Sequence, residues 1–329
     1  MKKLKVKCTF LKAQKFCYFS LIIFILNSCQ TEIEKKSQKP KRNKQNDQLE
    51  KKNQELLAEM QLGRNMAGRL LQFYGTYGDQ GLVKYVNKVG SYVAQFTGKI
   101  KYHFMFNILD TDEINAFACP GGYILITKGL LKELQTEAEL AAILGHEIAH
   151  VNEQHMFDTL RKMNPKKRES EAKKLDEERK RLENRVDKFR RRPKAKGSTT
   201  ASSLARYLTG TGVNIGFDLL KTSTVGMNVI LNQGLSPKLE YEADKLGLTY
   251  ASNAGYNPQA YKNFLSRLTI KKKVEKEKKL SNLINLGKTH PPPDKRLQAL
   301  KEEIQKKNLN NTPGANGKER FLENKKNLN

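Results

Sequence analysis

The chemistry in this chain is concentrated in the pentapeptide His146-Glu147-Ile148-Ala149-His150. Two histidines at i and i+4 project from one face of a helix about one turn apart, so both rings can reach a single ion. Glu147, beside the first histidine, is placed to act as general base for a water activated at that ion. Leu140, Ala141, Ile143 and Leu144 precede the motif, and Ile148, Ala149 and Val151 continue it, so the segment reads as a buried helix. Imidazoles and a carboxylate buried in such a helix need partners to offset their desolvation. The spacing therefore predicts a zinc centre with hydrolytic chemistry.

A catalytic zinc needs a third protein ligand and an open position for water. The nearby pattern that places a glycine three residues after the second histidine, and a third histidine six after it, is absent. Glu153 and Met156 stand at those positions, and His155 is one residue out of register. The better candidate is Glu240-Tyr241-Glu242-Ala243-Asp244, ninety residues downstream of His150 on a second helix. Glu240 and Asp244 share a face, while Glu242 points away. Glu240 can ligate the metal, and Asp244 can accept a hydrogen bond from a ligand histidine and fix its ring. Taken alone, this acidic run would read equally well as an exposed helix face. His103 and His155 read as structural or surface residues.

Several elements must position these groups. Leu56, Met60, Leu62, Met66, Leu70, Leu71 and Tyr74 recur at helical spacing, and Gly75 to Asp79 breaks the pattern. A second helix runs from Leu82 to Phe96 and stops at Gly98. Residues 101–109, 114–118 and 123–127 read as short strands, the last two joined by Pro120-Gly121-Gly122. The motif helix spans about Thr136 to Glu153, with Thr136 and Glu139 as a capping box. Ser236-Pro237 opens the second ligand helix, and another helix begins at Pro258. Residues 158–203 are nearly all charged or small and form an insertion between the two motifs. The expected architecture is a mainly helical α+β domain, with a small β-sheet near residues 100–127 beside the motif helix.

Charge and cysteine usage bound the rest. The chain has 61 Lys+Arg against 34 Asp+Glu, a net charge of +27, and 29% charged residues, which excludes a polytopic membrane protein. Residues 1–28 carry six lysines, then the apolar run Phe16 to Leu26, the form of an export signal too short to span a bilayer. Leu26-Asn27-Ser28-Cys29 resembles a lipobox, with Cys29 acylated as the new N-terminus, against the alternative of an uncleaved anchor. Of the four cysteines only Cys119 then lies in the mature domain, so no internal disulfide forms. Residues 29–54 read as a charged tether, 55–303 as the catalytic domain and 304–329 as a disordered basic tail. The basic insertion is either a solvated helical excursion or a surface for anionic lipid head groups or an acidic partner. Scattered lysines without interleaved aromatics argue against specific nucleic-acid binding.

Four blocks together resemble the M48 zinc metalloendopeptidases over roughly residues 55–303: Asn115 to Ala118 with Pro120-Gly121-Gly122, His146 to His150, Glu240 to Asp244, and Thr289-His290-Pro291-Pro292 with Arg296. The likeness is to the periplasmic lipoprotein members and the mitochondrial Oma-type protease, since no apolar span suits the integral-membrane members. The resemblance implies a zincin-like (gluzincin) fold and one zinc per chain, held by His146, His150 and Glu240, with Glu147 as base. It further implies that Asn115, Ala116, Phe117 and Ala118 pair with an extended protein substrate. His290 would lie near the metal, either aiding the transition state or filling the open position in a latent form. Substrates would be misfolded or stalled envelope proteins, met in a lipid-anchored, periplasm-facing setting with the outer membrane slightly favoured. The competing expectation is a metal-bound chaperone or assembly factor that rarely cleaves.

Overall fold

The computed structural model describes residues 44–99, 101–167, 169–174, 177, 219–278 and 290–328. The chain divides into two compact units, Met1–Asn53 and Gln54–Asn329. Within the first, residues 44–53 are helical, and those from 45 onward are solvent-exposed. The tether expected over 29–54 is thus helical from Lys44, where α1 (Lys44–Tyr74) begins. The export signal and Cys29 lie outside the described residues, as does most of the insertion. Among the described residues no helix is long and apolar enough to cross a membrane.

In the second unit, α2 (Gln80–Gln95) is capped by Asp79, whose carboxylate accepts from Leu82 N at 3.0 Å. Three short strands follow: β1 (Met105–Leu109), β2 (Ala116–Cys119) and β3 (Tyr123–Thr127). Their order is β1-β3-β2, with β1 parallel and β2 antiparallel to β3. The β2–β3 connection is the Pro120–Gly122 turn, where Gly121 and Gly122 take φ of +73° and +102°. That left-handed backbone is why two glycines stand there. β2 is an edge strand.

Alternation along the strands gives the sheet two buried faces. Phe106, Ile108, Ala116, Ile124 and Ile126 join one core; Leu109, Phe117, Cys119 and Leu125 join a second. The first core is closed by α2, by α4 (Glu137–Asn152), by α7 (Pro237–Asn253) and by α8 (Gln259–Lys278). The second is closed by α1, α5 (His155–Lys162) and α6 (Leu219–Asn228), which continues as a π-turn over Val229–Gln233. A six-residue α3 (Lys128–Glu133) links β3 to α4.

Helix α4 is buried along all sixteen residues, as its apolar composition on every side requires. Thr136 caps it by accepting from Glu139 N at 3.2 Å, but the reciprocal half of the expected capping box is shifted. The Glu139 carboxylate takes Gln135 N at 2.7 Å and pairs with Arg267 instead. Helices α4 and α7 cross at Gly145 and Gly247. A Cβ on Gly247 would lie 2.6 Å from His146 N, so only glycine permits this approach.

Two boundaries differ from the sequence reading. The insertion was expected to begin at 158, yet Phe157 and Leu160 are buried in the second core, and α5 continues the domain to Lys162. The tail expected to be disordered is folded. After α9 (Pro293–Lys306), Ala315 bridges Tyr256, and α10 (Lys318–Asn324) buries Phe321 completely. Arg320 pairs with the buried Glu137, and Asn316 O accepts from Ala138 N at 3.1 Å, satisfying a free donor in the first turn of α4.

Candidate active site

Helix α4 presents His146 and His150 one turn apart, and their Nε2 atoms lie 3.1 Å from each other. Helix α7 brings Glu240 opposite them, its carboxylate 3.6 Å from His146 Nε2 and 3.4 Å from His150 Nε2. One ligand atom of each residue lies within 4.8 Å of the others, and all three are buried. Two imidazole nitrogens and one carboxylate oxygen, converging from two rigid helices, fit a divalent ion of borderline softness such as zinc.

The rings are held from behind. His146 Nδ1 lies 2.9 Å from Asp244 Oδ1, which leaves Nε2 for the ligand cluster. Asp244 is itself gripped by Arg296, with Nε to Oδ2 at 3.0 Å and Nη2 to Oδ1 at 2.6 Å. Arg296 Nη2 also donates to Tyr261 Oη at 2.6 Å. Burial alone would raise the Asp244 pKa, but Arg296 and His146 hold it well below the ordinary carboxylate range. Burial likewise disfavours a charged His146, yet its hydrogen bonds to Asp244 and Glu240 push it up to about 9. His150 has no carboxylate behind it, and burial holds it well below the usual imidazole range.

His150 has a different support. Its Nδ1 lies 3.0 Å from Nδ1 of His155, which is itself buried. His155 Nε2 in turn faces the Glu242 carboxylate at 3.6 Å. His155 is therefore a buried prop of the ligand set, the structural rather than the surface alternative of the sequence reading. Glu242 does point away from the ligands, as expected, but toward that prop.

Glu147 is buried at the floor of the cleft, where desolvation pushes its carboxyl up. His290, just before α9, places Nδ1 2.6 Å from Glu240 Oε2 and so reaches the ligand cluster. That contact, with the His150 and His146 rings beside it, outweighs burial and keeps Glu240 well below its usual range.

Of the four residues expected to meet substrate, Ala116, Phe117 and Ala118 line the cleft, and Asn115 lies just before β2. Asn115 is buried, and its side chain accepts from Ala116 N at 2.9 Å. Thr127 N donates to Asn115 O, so residues 115 and 117 make the ladder bonds with β3, and the polar groups of Ala116 and Ala118 turn to the outer edge. Ala116, Glu147 and His290 together line two adjoining clefts.

Sequence reasoning missed Tyr261 and the contact of His155 with His150. Tyr261 falls among the apolar positions of a helix and looks like any core aromatic. His155 was passed over because it fits no ligand register.

Comparison with known proteins agrees with this geometry. The profile described as peptidase family M48 matches residues 82–304. The beta-barrel assembly-enhancing protease of Escherichia coli (strain K12) is 28% identical over 239 residues, covering 73% of this chain and 42% of that protein. Its Yersinia pestis counterpart is 28% identical over 222 residues, 67% of this chain and 38% of that one. The mitochondrial metalloendopeptidase OMA1 of Schizosaccharomyces pombe is 25% identical over 236 residues, 69% of this chain and 56% of that one. The chain thus spans well under two thirds of the length of these curated relatives. With the profile matched over more than half the chain and a His-His-Glu cluster inside the matched region, the chain belongs to peptidase family M48.

Proposed function

We propose that this chain is a zinc-dependent endopeptidase that hydrolyses peptide bonds in extended segments of envelope proteins. The observation that carries the reading is the convergence of His146, His150 and Glu240 beside a buried Glu147 and the outer edge of β2. Zinc held by the three ligands would supply Lewis acidity, polarising the scissile carbonyl and making a water acidic enough to attack. Glu147 takes the proton of the attacking water and passes it to the leaving amine; its desolvated, raised pKa suits both transfers. The substrate backbone adds to the outer edge of β2, where the polar groups of Ala116 and Ala118 are directed. His290, bonded to Glu240, either steadies charge in the transition state or holds a latent form.

The setting is part of the proposal. Export with acylation at Cys29, a periplasm-facing position and a slight preference for the outer membrane rest on the sequence of residues 1–29. Relatives named for beta-barrel assembly support envelope proteins as substrates. The basic insertion is proposed to meet anionic lipid or an acidic partner. A chaperone with little proteolysis is the weaker reading, because ligands, base and substrate edge are all in place.

The test compares wild type with Glu147→Gln and Glu240→Ala. Wild type should bind one zinc by elemental mass spectrometry and cleave an unfolded protein. Glu147→Gln should keep the zinc and lose cleavage by at least a hundredfold, whereas Glu240→Ala should lose both. Zinc-free folded wild type, or full cleavage by Glu147→Gln, would refute the mechanism.

A further inference from the structure

We infer that the active site selects two consecutive apolar residues at the bond it cleaves, one side chain received on each face of the β2 edge. The inference rests on the endopeptidase reading above and adds the side-chain class of the substrate.

Two clefts flank Glu147. One, of about 330 Å³, is walled by Phe117, Met156, Val229, Ile230 and Leu235, on the side of the second core. The other, of about 320 Å³, is walled by Leu130, Ile143, Phe264 and Leu268, on the side of the first core. They meet at Ala116, Glu147 and His290. Both volumes include the open mouth, so a side chain rests against these walls with its outer part still in the mouth.

The strand geometry links them. The far walls of one cleft belong to the second core and those of the other to the first, so the two clefts open toward opposite faces of β2 and share its Ala116 edge. A strand added to that edge continues the pleat, and its successive side chains alternate between the same two faces. Neighbouring substrate residues therefore enter different clefts. Among the described residues the walls offer no free cation for an acidic side chain: Arg296, at the rim of the second cleft, is committed to Asp244, the histidines on both walls are engaged in the ligand cluster, and Glu147 and Glu240 are carboxylates. A charged residue in either cleft would lose its hydration without a partner.

A pair of adjacent apolar residues is the mark of a segment buried on both faces in a folded protein. Strands with one face in water alternate apolar and polar, and present only one such residue to the enzyme. The structure thus favours unfolded chains that expose a continuous apolar run over amphipathic strands.

The experiment uses zinc-loaded full-length chain, as wild type and as His290→Ala to cover a latent form. Three peptides differ only at the central pair: Leu-Val, Leu-Ser and Asp-Val. Leu-Val should exceed each of the others at least about tenfold in kcat/KM. Binding to Glu147→Gln, read by fluorescence anisotropy, should follow the same order. Leu235→Lys should make one of the two positions tolerant of acidic residues and leave the other unchanged. Equal cleavage of all three peptides, or apolar preference at one position only, would overturn the inference. Ordered binding without cleavage would support it and overturn the endopeptidase reading, and neither binding nor cleavage would overturn both.

Discussion

His150 turns Nε2 toward Glu240, so its Nδ1 needs a partner, and His155 supplies one at 3.0 Å. With His150 kept neutral by burial, the hydrogen-bond network assigns the proton to its Nδ1, which donates to His155; His155 then carries its own proton on Nε2, toward Glu242. Removing such a support commonly weakens metal binding by about 10–100-fold. His155→Ala should therefore raise the zinc dissociation constant by that order in a chelator competition, while Glu242→Ala, at a half-exposed carboxylate, should do much less. An unchanged constant in His155→Ala would mean that packing alone orients His150. At this scale the ligands were legible because i, i+4 spacing in an apolar helix has few other uses. Of their supports, Asp244 was legible from its i, i+4 relation to Glu240, but the contacts of Tyr261, Arg296 and His155 were not, since these act across 17 to 150 residues of chain or at a spacing with no motif.

The contact between α4 and α7 puts all three ligands in place, and it depends on Gly145 and Gly247. A methyl group on Gly247 would sit 2.6 Å from His146 N, forcing the helices apart at the residue that must face Glu240. Gly247→Ala should cost about 1–3 kcal/mol in denaturant unfolding and lower zinc affinity with it. Gly68→Ala, in α1, is the matched control, since an added Cβ there meets nothing within 4 Å. It should be neutral or stabilising by up to about 1 kcal/mol. The same sign in both would show that helix propensity, not the crossing, decides. Most elements were legible from apolar periodicity and turn residues. The docking of α10 was not, because its composition is that of a solvated tail and its contacts, led by buried Phe321 and by Arg320 on Glu137, reach residues far back in the chain.

Over the whole molecule, the segment from Ala315 to Asn324 closes the end of α4 opposite the metal ligands. Glu137, buried in the first turn, is held by Arg320, Tyr85 and Tyr256. Burial pushes its carboxyl up, but these three partners outweigh burial and hold it below its ordinary value. A lowered folded pKa stabilises the protein above the unfolded glutamate value of about 4.3, and that contribution disappears as pH falls through the folded value. The stability gap between wild type and Glu137→Gln should thus be full at neutral pH and shrink as the pH drops below about 4. A gap that ignores pH would assign the effect to shape and not to ionisation. The chain order of this closure also has a consequence in time. The two histidines emerge midway through synthesis, Glu240 ninety residues later, and His290 and Arg296 later still. Arg320 and Phe321, which clamp the helix carrying the first ligands, follow all of them. The helix that carries the first two ligands is therefore clamped late in chain order, and a nascent chain holds its ligand helix without that clamp until residues 320 and 321 have been made.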